Sequence, residues 1–347
     1  MNTWLQFLGT QGAQCAEGAP TDVAGFSGSP IRTDMPRGFV APLTDLGLIA
    51  ATGDDAVHFL HNQLTNDVEH LGAAEARLAG YCNPKGRLLA TVMMWKSDDA
   101  IMLALPRQIQ PPVQKRLQMF VLRAKVKLAD TSDSFAVLGL GGKPAGVVLQ
   151  QWFPAMPAAP FDKTENQSGV LIRVPDAFGE PRYEWIAPVD IARQAWPELV
   201  KTLTPVGTPV WRLTEIHAGL PQVTQPTQEQ FVPQMINYEL IGGVNFKKGC
   251  YPGQEIVARS QYLGKLKRRM LLASIDVPSA TAGTEIFSSA DPEQPCGMIV
   301  NAERNLQGGI DCLVEIKIAA TEAGTIHLSS ASGPALKFGT LPYPLPA

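Results

Sequence analysis

The sequence predicts an α+β chain built from more than one folding unit. Three observations carry this. Helical and strand spacings of apolar residues alternate through the first third of the chain. A strand–helix–strand–strand–helix succession follows Asp130, and beyond about Gly264 only short strands between Gly, Pro and Ser turns remain. The length, 347 residues, fits two or three domains of about 150 residues, or one large one.

Residues 1–36 are rich in Gly, Ala, Ser, Thr and Gln and lack an apolar period, which predicts a flexible N-terminal arm with one helical turn around Trp4–Leu8. Order is expected from Phe39. Val57, Leu60 and Leu64 recur at helical spacing, with Asp54 or Asp55 available as N-cap. Leu78–Cys82, an Asn83-Pro84-Lys85-Gly86 turn and Arg87–Trp95 read as a β-hairpin, followed by a strand over Ala100–Leu105. Pro111-Pro112 opens a helix marked by Val113, Leu117, Phe120 and Val121.

In the second stretch, Phe135–Leu140, Gly169–Val174 and Arg182–Ala187 read as strands, and Ala145–Trp152 and Pro188–Leu203 as helices. Their order is that of a ferredoxin-like layer. The C-terminal strands Lys267–Val277, Thr284–Ser288, Cys296–Asn301, Ile310–Ile318 and Thr325–Leu328 suit a small β-barrel.

Lys+Arg 29 against Asp+Glu 32 gives a net charge of −3, which excludes a globally basic nucleic-acid binder and an acidic solvating tail but leaves room for a local basic site. Five cysteines without a Cys-x-x-Cys pair exclude a disulfide framework, a zinc ribbon and a self-contained iron–sulfur ligand set. No apolar run approaches the roughly 20 residues of a membrane span. The first basic residue is Arg32, so neither a secretory signal nor a transit peptide is read, and a cytoplasmic protein is expected.

Two constellations could carry chemistry. In Lys247-Lys248-Gly249-Cys250-Tyr251-Pro252-Gly253-Gln254-Glu255, two glycines bracket a thiol that Lys247, Lys248 and Arg259 would favour as thiolate. Either this is a reactive or metal-binding cysteine on a basic loop, or a Gly/Pro turn whose cysteine is buried and inert. The second comprises Arg212, Glu215, His217, Gln234, Asn237 and Glu239 among core-like Trp211, Leu213, Ile216, Phe231 and Ile236, which either line a polar cleft or form a solvated face. Gly139-x-Gly141 reads as an ordinary strand-to-helix turn, and His58 and His61 as surface or core histidines. No nucleophile elbow or Walker loop is present.

Lys248-Gly249-Cys250-Tyr251-x-Gly253-Gln254-Glu255 resembles the signature of the YgfZ family, folate-binding relatives of the glycine-cleavage T-protein linked to iron–sulfur cluster assembly or repair and to tRNA modification. Phe59–Val68, Asn83–Arg87, Arg212 with Gly219-Leu220-Pro221, and Phe231–Gln234 with Asn237 extend the resemblance over roughly residues 39–341. It implies a three-domain aminomethyltransferase-like fold around a central channel. Its parts would be an arm over 1–36, a discontinuous folate-binding domain over 37–128 and 206–264, a ferredoxin-like domain over 129–205 and a β-barrel over 265–347.

The resemblance further implies tetrahydrofolate or a derivative as cofactor, no bound metal, and Cys250 as key thiol. Expected folate-site residues are Asn62, Thr65, Asn66, Asp67, Asn83, Lys85, Gly86, Arg212, Glu215, Gln234, Asn237, Lys248, Tyr251, Gln254, Glu255 and Arg259, with Tyr251, Lys248 and Arg259 as candidates for the pteridine slot and glutamate tail. Implied partners are iron–sulfur proteins or assembly factors. Direct tRNA contact stays open, no membrane is involved, and the chain is expected to be monomeric.

One departure separates the family branches. The aminomethyltransferase branch carries a catalytic aspartate in the hairpin after the Pro-x-Gly turn, whereas Leu88-Leu89-Ala90-Thr91-Val92 has no carboxylate to steer a proton or a developing charge. An accessory role in cluster assembly is therefore expected, the alternative being a tetrahydrofolate-dependent one-carbon transferase or demethylase drawing its carboxylate from Asp67, Glu215 or Glu239. Lys247, Lys248, Arg259, Lys265, Lys267, Arg268 and Arg269 against Glu255 also make a local strip of charge +6, suited to an anionic ligand.

Overall fold

The computed structural model describes residues 3–28, 33–262 and 266–346. The elements run α1 (Thr3–Thr10), β1 (Ala13–Ala16), β2 (Ala19–Phe26), β3 (Phe39–Pro42), β4 (Leu46–Thr52), α2 (Ala56–His61), β5 (Ala76–Cys82), β6 (Leu88–Ser97), β7 (Ala100–Pro106), α3 (Gln110–Met119) and β8 (Lys127–Asp130). Next come β9 (Phe135–Gly141), α4 (Lys143–Leu149), β10 (Lys163–Asn166), β11 (Gly169–Ala177), β12 (Glu180–Pro188), α5 (Val189–Thr202), β13 (Thr204–Pro205) and α6 (Thr208–His217). The last part holds α7 (Gln254–Tyr262), β14 (Arg268–Ile275), β15 (Glu285–Ser288), β16 (Asp291–Arg304), β17 (Ile310–Lys317), α8 (Ile318–Ala323), β18 (Ile326–Leu328) and β19 (Leu336–Phe338). Two compact units result: residues 1–56, 70–77 and 93–214, and residues 57–69, 78–92 and 215–347.

In the first unit, β10-β11-β12-β9-β3-β13 form one sheet. The expected strands and helices after Asp130 are present, with a further strand, β10, between α4 and β11; on its other side β9 takes a strand from the start of the chain, β3, antiparallel with Val40 opposite Leu140. Leu138, Leu140, Leu171 and Trp185 bury the sheet's inner face against Ala192, Trp196 and Leu199 of α5. A second set of antiparallel pairings joins Met93–Ser97 of β6 to β7, β7 to β4, and β4 to β8.

Within the segment expected to be a flexible arm, residues 3–28 are folded; residues 1, 2 and 29–32 lie outside the described residues. Trp4 and Leu8, one helical turn apart, and Val23 and Phe26 of the β1–β2 hairpin are buried in the same core, with Trp4 edge-on to Trp196 at 5.9 Å. Four apolar residues in a small, polar segment have no periodicity of their own, and tertiary burial makes the structure. Helix α3 ends at Met119, so Phe120, expected on its buried face, caps the helix and is exposed.

In the second unit, β5 and the start of β6 make the expected hairpin around the Asn83–Arg87 turn. The C-terminal strands pair in the order β18-β15-β16-β17-β14-β19, and a bridge between His327 and Ala335 brings the two edges together into a nearly closed, barrel-like sheet. Ile286, Ile299, Cys312, Val314 and Ile316 fill it. Packed beside them, Phe231, Ile236, Tyr238, Met270 and Leu313 form a second core that also takes Cys82 and Leu88 of the hairpin.

Candidate functional site

The site is built where the Lys-Gly-Cys motif meets the end of α2 and the tip of the β5–β6 hairpin, all within the second unit. Helices end with carbonyls that have no intrahelical partner, and a nearby lysine can satisfy them. Lys248 does this: its Nζ donates to the carbonyls of His61 and Leu64, the latter at 3.0 Å, and stands 4.9 Å from the Tyr251 ring centroid. Burial draws its pKa down to about 8 against the opposing pull of Asp67, Cys250 and Glu69.

His61 is buried, and a Cβ on Gly249 would lie 3.4 Å from its Nε2. Its Nδ1 is 3.2 Å from Asp67 Oδ1. Burial, and then the Lys248 charge, hold the imidazole below its ordinary pKa, with Glu69 and Asp67 pulling the other way. His58 Nδ1 is 3.0 Å from Glu69 Oε1, and Asn62 reaches His58 Nε2 at 3.0 Å. The carboxylate partners of the two histidines, Asp67 and Glu69, thus sit only six and eight residues beyond the end of α2, in the following loop. Among the described residues, no three of His, Cys, Asp and Glu gather as a metal-binding set.

Thr65 and Asn66 tie this loop to the chain before the motif. Thr65 Oγ1 donates to the Gly243 carbonyl at 2.6 Å and accepts from Gly80 N–H, while Asn66 Nδ2 donates to the carbonyls of Leu78 and Gly242, each at 2.7 Å. At the hairpin tip, Asn83 Oδ1 accepts from the amides of Lys85 and Arg87 at 2.9 and 3.0 Å, an Asx-type closure of the turn. Gly86 (φ +70°) and Gly253 (φ +81°) then press backbone to backbone; a Cβ on Gly253 would come within 2.5 Å of Asn83 O and of Gly86 N and Cα. Both glycines meet the two conditions, positive φ and close approach, that exclude a side chain.

Tyr251 is buried with Val244, Val257 and Phe246, and burial pushes its hydroxyl pKa up. Gln254 begins α7, while Glu255, Arg259 and Lys85 point into solvent. Cys250 is exposed. Of the two readings of this turn, the one that buries its cysteine is not met.

Gln234 and Asn237 brace the neighbouring backbone. Gln234 Nε2 donates to Val257 O at 2.8 Å, and Asn237 Nδ2 donates to Met270 O at 2.8 Å. Beside them Arg269 pairs with the buried Glu239 and donates to the Gln234 carbonyl at 3.1 Å. Gln234 Oε1, Glu239 Oε2 and Gln63 Oε1 are buried acceptors without a hydrogen-bond partner. Glu215 is buried at the end of α6. Arg212 belongs to the first unit, where Asp22 at 2.8 Å and Asp45 at 3.2 Å hold its guanidinium. Burial, with Asp22 beside it, raises Asp45 to about 6 against the pull of Arg212.

Three cations of the basic strip are taken up inside the fold, two of them by carboxylates. Arg268 is bidentate to Glu315 at 2.8 Å, Arg269 is taken by Glu239 and Lys248 by the helix-end carbonyls; Lys265 lies outside the described residues. Lys247, Arg259 and Lys267 are exposed. The neutralising acids are distant in sequence, which is why local charge counting overstated the strip.

Residues 40–248 match the family model of the GCVT N-terminal domain. Among curated proteins, the chain is similar to the tRNA-modifying protein YgfZ of Colwellia psychrerythraea, with 31% identity over 241 residues, 70% of this chain and 73% of that protein. The protein of the same name from Edwardsiella ictaluri is 29% identical over 300 residues, 85% of this chain and 89% of its own. Among solved structures, the glycine cleavage system aminomethyltransferase T of Bartonella henselae superposes with a TM-score of 0.80 at 17% identity, covering 97% of this chain and 96% of that one. The fold is accordingly that of an aminomethyltransferase T, with its α+β layers and C-terminal barrel-like sheet.

Proposed function

From membership of the YgfZ family, to which this chain belongs, we propose a folate-binding accessory protein for iron–sulfur cluster assembly or repair, with Cys250 as its working thiol. The relatives are named tRNA-modifying proteins, and in this reading the clients include cluster enzymes that thiolate tRNA. The observation that carries it is the presentation of Cys250: an exposed thiol on a loop fixed on one side by Lys248 and on the other by the Gly253–Gly86 contact. A rigidly held, accessible thiol can offer one ligand at a shared site or react with a partner's sulfur; one thiol cannot hold a cluster alone.

Buried acceptors support the folate reading. A pterin presents ring N–H and amino donors, and Gln234 Oε1, Glu239 Oε2 and Gln63 Oε1 are buried acceptors in want of donors. Bound tetrahydrofolate would supply one-carbon or redox chemistry; the residues of this chain would orient and desolvate it. Aminomethyl transfer is disfavoured, since Leu88–Val92 is buried without a carboxylate and Thr91 Oγ1 already accepts from Val223 N–H at 3.0 Å. Of the alternative carboxylates, Asp67 lies beside His61, one oxygen of Glu239 pairs with Arg269, and Glu215 is buried at the end of α6. Among the described residues no helix is long and apolar enough to cross a membrane; a monomeric, cytoplasmic protein is part of the proposal.

Calorimetric titration with tetrahydrofolate tests the folate half of this reading. Wild type and Cys250→Ala are expected to bind equally, without turnover of an aminomethyl or N-methyl donor. Absence of binding to the wild type, or turnover of such a donor, would overturn it.

A further inference from the structure

Between Ala100 and Ala129 the chain holds six basic residues and no acidic one. These are Arg107, Lys115, Arg116, Arg123, Lys125 and Lys127. Around the thiol three cations are turned inward, but here Lys115, Arg123, Lys125 and Lys127 all face solvent, on the last turns of α3, the loop after it and the start of β8. Between them stand the largest outward apolar groups nearby: Met119 is 59% exposed, Phe120 46% and Leu122 87%, the last held at φ +47°. A leucine in the left-handed region, projecting into water, costs conformational energy and gains no burial, a combination that marks interaction sites. The Arg116 guanidinium lies 6.0 Å from the Phe120 ring centroid. Acids at the patch's border include Asp54, which pairs with Lys125 Nζ at 3.0 Å, Asp55, which accepts from Lys125 N–H, and Asp133, which pairs with Arg107 at 2.8 Å.

We infer that this surface docks RNA, with Lys115, Arg123 and Lys127 on phosphates and Phe120 and Leu122 against unstacked bases. Charge complementarity selects a polyanion. Lysine, three of the four exposed cations, is depleted at protein–protein interfaces. A basic track with a half-exposed ring beside an arginine is the arrangement used on single-stranded nucleic acid. An anionic membrane surface would call for an amphipathic helix lying in plane, whereas these apolar groups sit on a turn. The inference rests on the tRNA-linked part of the reading above only for the choice of RNA, and it is independent of the thiol.

The test is fluorescence anisotropy with an unmodified tRNA transcript over a salt series. Wild type is expected to bind with an affinity that falls linearly in log salt. Arg123→Glu combined with Lys127→Glu should weaken binding about tenfold or more and flatten the slope by about 1.4. Phe120→Ala should weaken it about fivefold at unchanged slope. Lys267→Glu, an exposed charge elsewhere, should change little. Thermal melts confirm that the variants are folded, and tetrahydrofolate calorimetry on the same samples separates failure here from failure of the folate reading. The inference is overturned if wild type does not bind, if the double variant binds like wild type, or if polyglutamate or vesicles of phosphatidylglycerol and phosphatidylcholine bind this surface more tightly than tRNA.

Discussion

Gly253 lies so close to Gly86 that a Cβ on Gly253 would stand 2.5 Å from the Gly86 Cα. The hairpin tip and the thiol loop are thereby one packed object, joined through two residues with positive φ. Gly253→Ala must both strain the backbone and push the loops apart, with an expected loss of about 2–4 kcal/mol. Gly86→Ala, whose Cβ would meet Ile256 Cβ at 3.0 Å, should cost less, about 1–3 kcal/mol. Urea unfolding of both variants checks the order as well as the size.

Lys248 closes the other side of the loop. Lys248→Met keeps an unbranched apolar stem but removes the ammonium from the Tyr251 ring and leaves the carbonyls of His61 and Leu64 without their donor. A loss of about 1–3 kcal/mol is expected. The amides around residues 246–253 should exchange faster with solvent than in wild type, measured by hydrogen exchange, while those of the barrel-like sheet stay protected.

Acid should loosen the same region. His61 is held below the ordinary imidazole pKa of about 6.5 by burial and by Lys248. The unfolded chain therefore takes up that proton first, and stability falls as pH drops below about 6.5. Lys248, drawn down to about 8, has the same sign: between about 8 and the ordinary lysine value of about 10.4 the unfolded chain holds the extra proton, so stability from this group rises with pH. His61→Gln should flatten the acid limb of a plot of urea midpoint against pH.

Thiol accessibility gives a direct count. Cys15 and Cys250 are exposed, while Cys82, Cys296 and Cys312 are buried, and burial pushes Cys82 and Cys312 up to about 12. Alkylation of the folded protein, read by mass spectrometry, should give two adducts, at Cys15 and Cys250, and five only after unfolding.

Much of the regular structure was legible in the sequence, because strand alternation and helix breakers are local. The hairpin around Asn83–Arg87, the strands of the layer after Asp130 and the five main strands of the barrel-like sheet lie where the pattern puts them. The folding of residues 3–28 was not legible: Trp4, Leu8, Val23 and Phe26 are significant only through the Trp196 core they enter. Within the site, the motif marked Cys250, Lys248 and the two glycines, but not what they touch. His61 read as an unremarkable histidine because its partners Asp67 and Glu69 meet it only when the loop after α2 closes. Arg212 read as a cleft residue because Asp22, one of the two carboxylates that hold it, lies 190 residues away in sequence.

The central claim, that Cys250 is the thiol through which this protein works, is tested most directly by complementation of a deletion strain. Wild type and Cys250→Ala are expressed at matched, soluble levels, and thiolated tRNA nucleosides are quantified by mass spectrometry. The account predicts that Cys250→Ala leaves them near the level of the deletion strain. Full restoration by Cys250→Ala would contradict it.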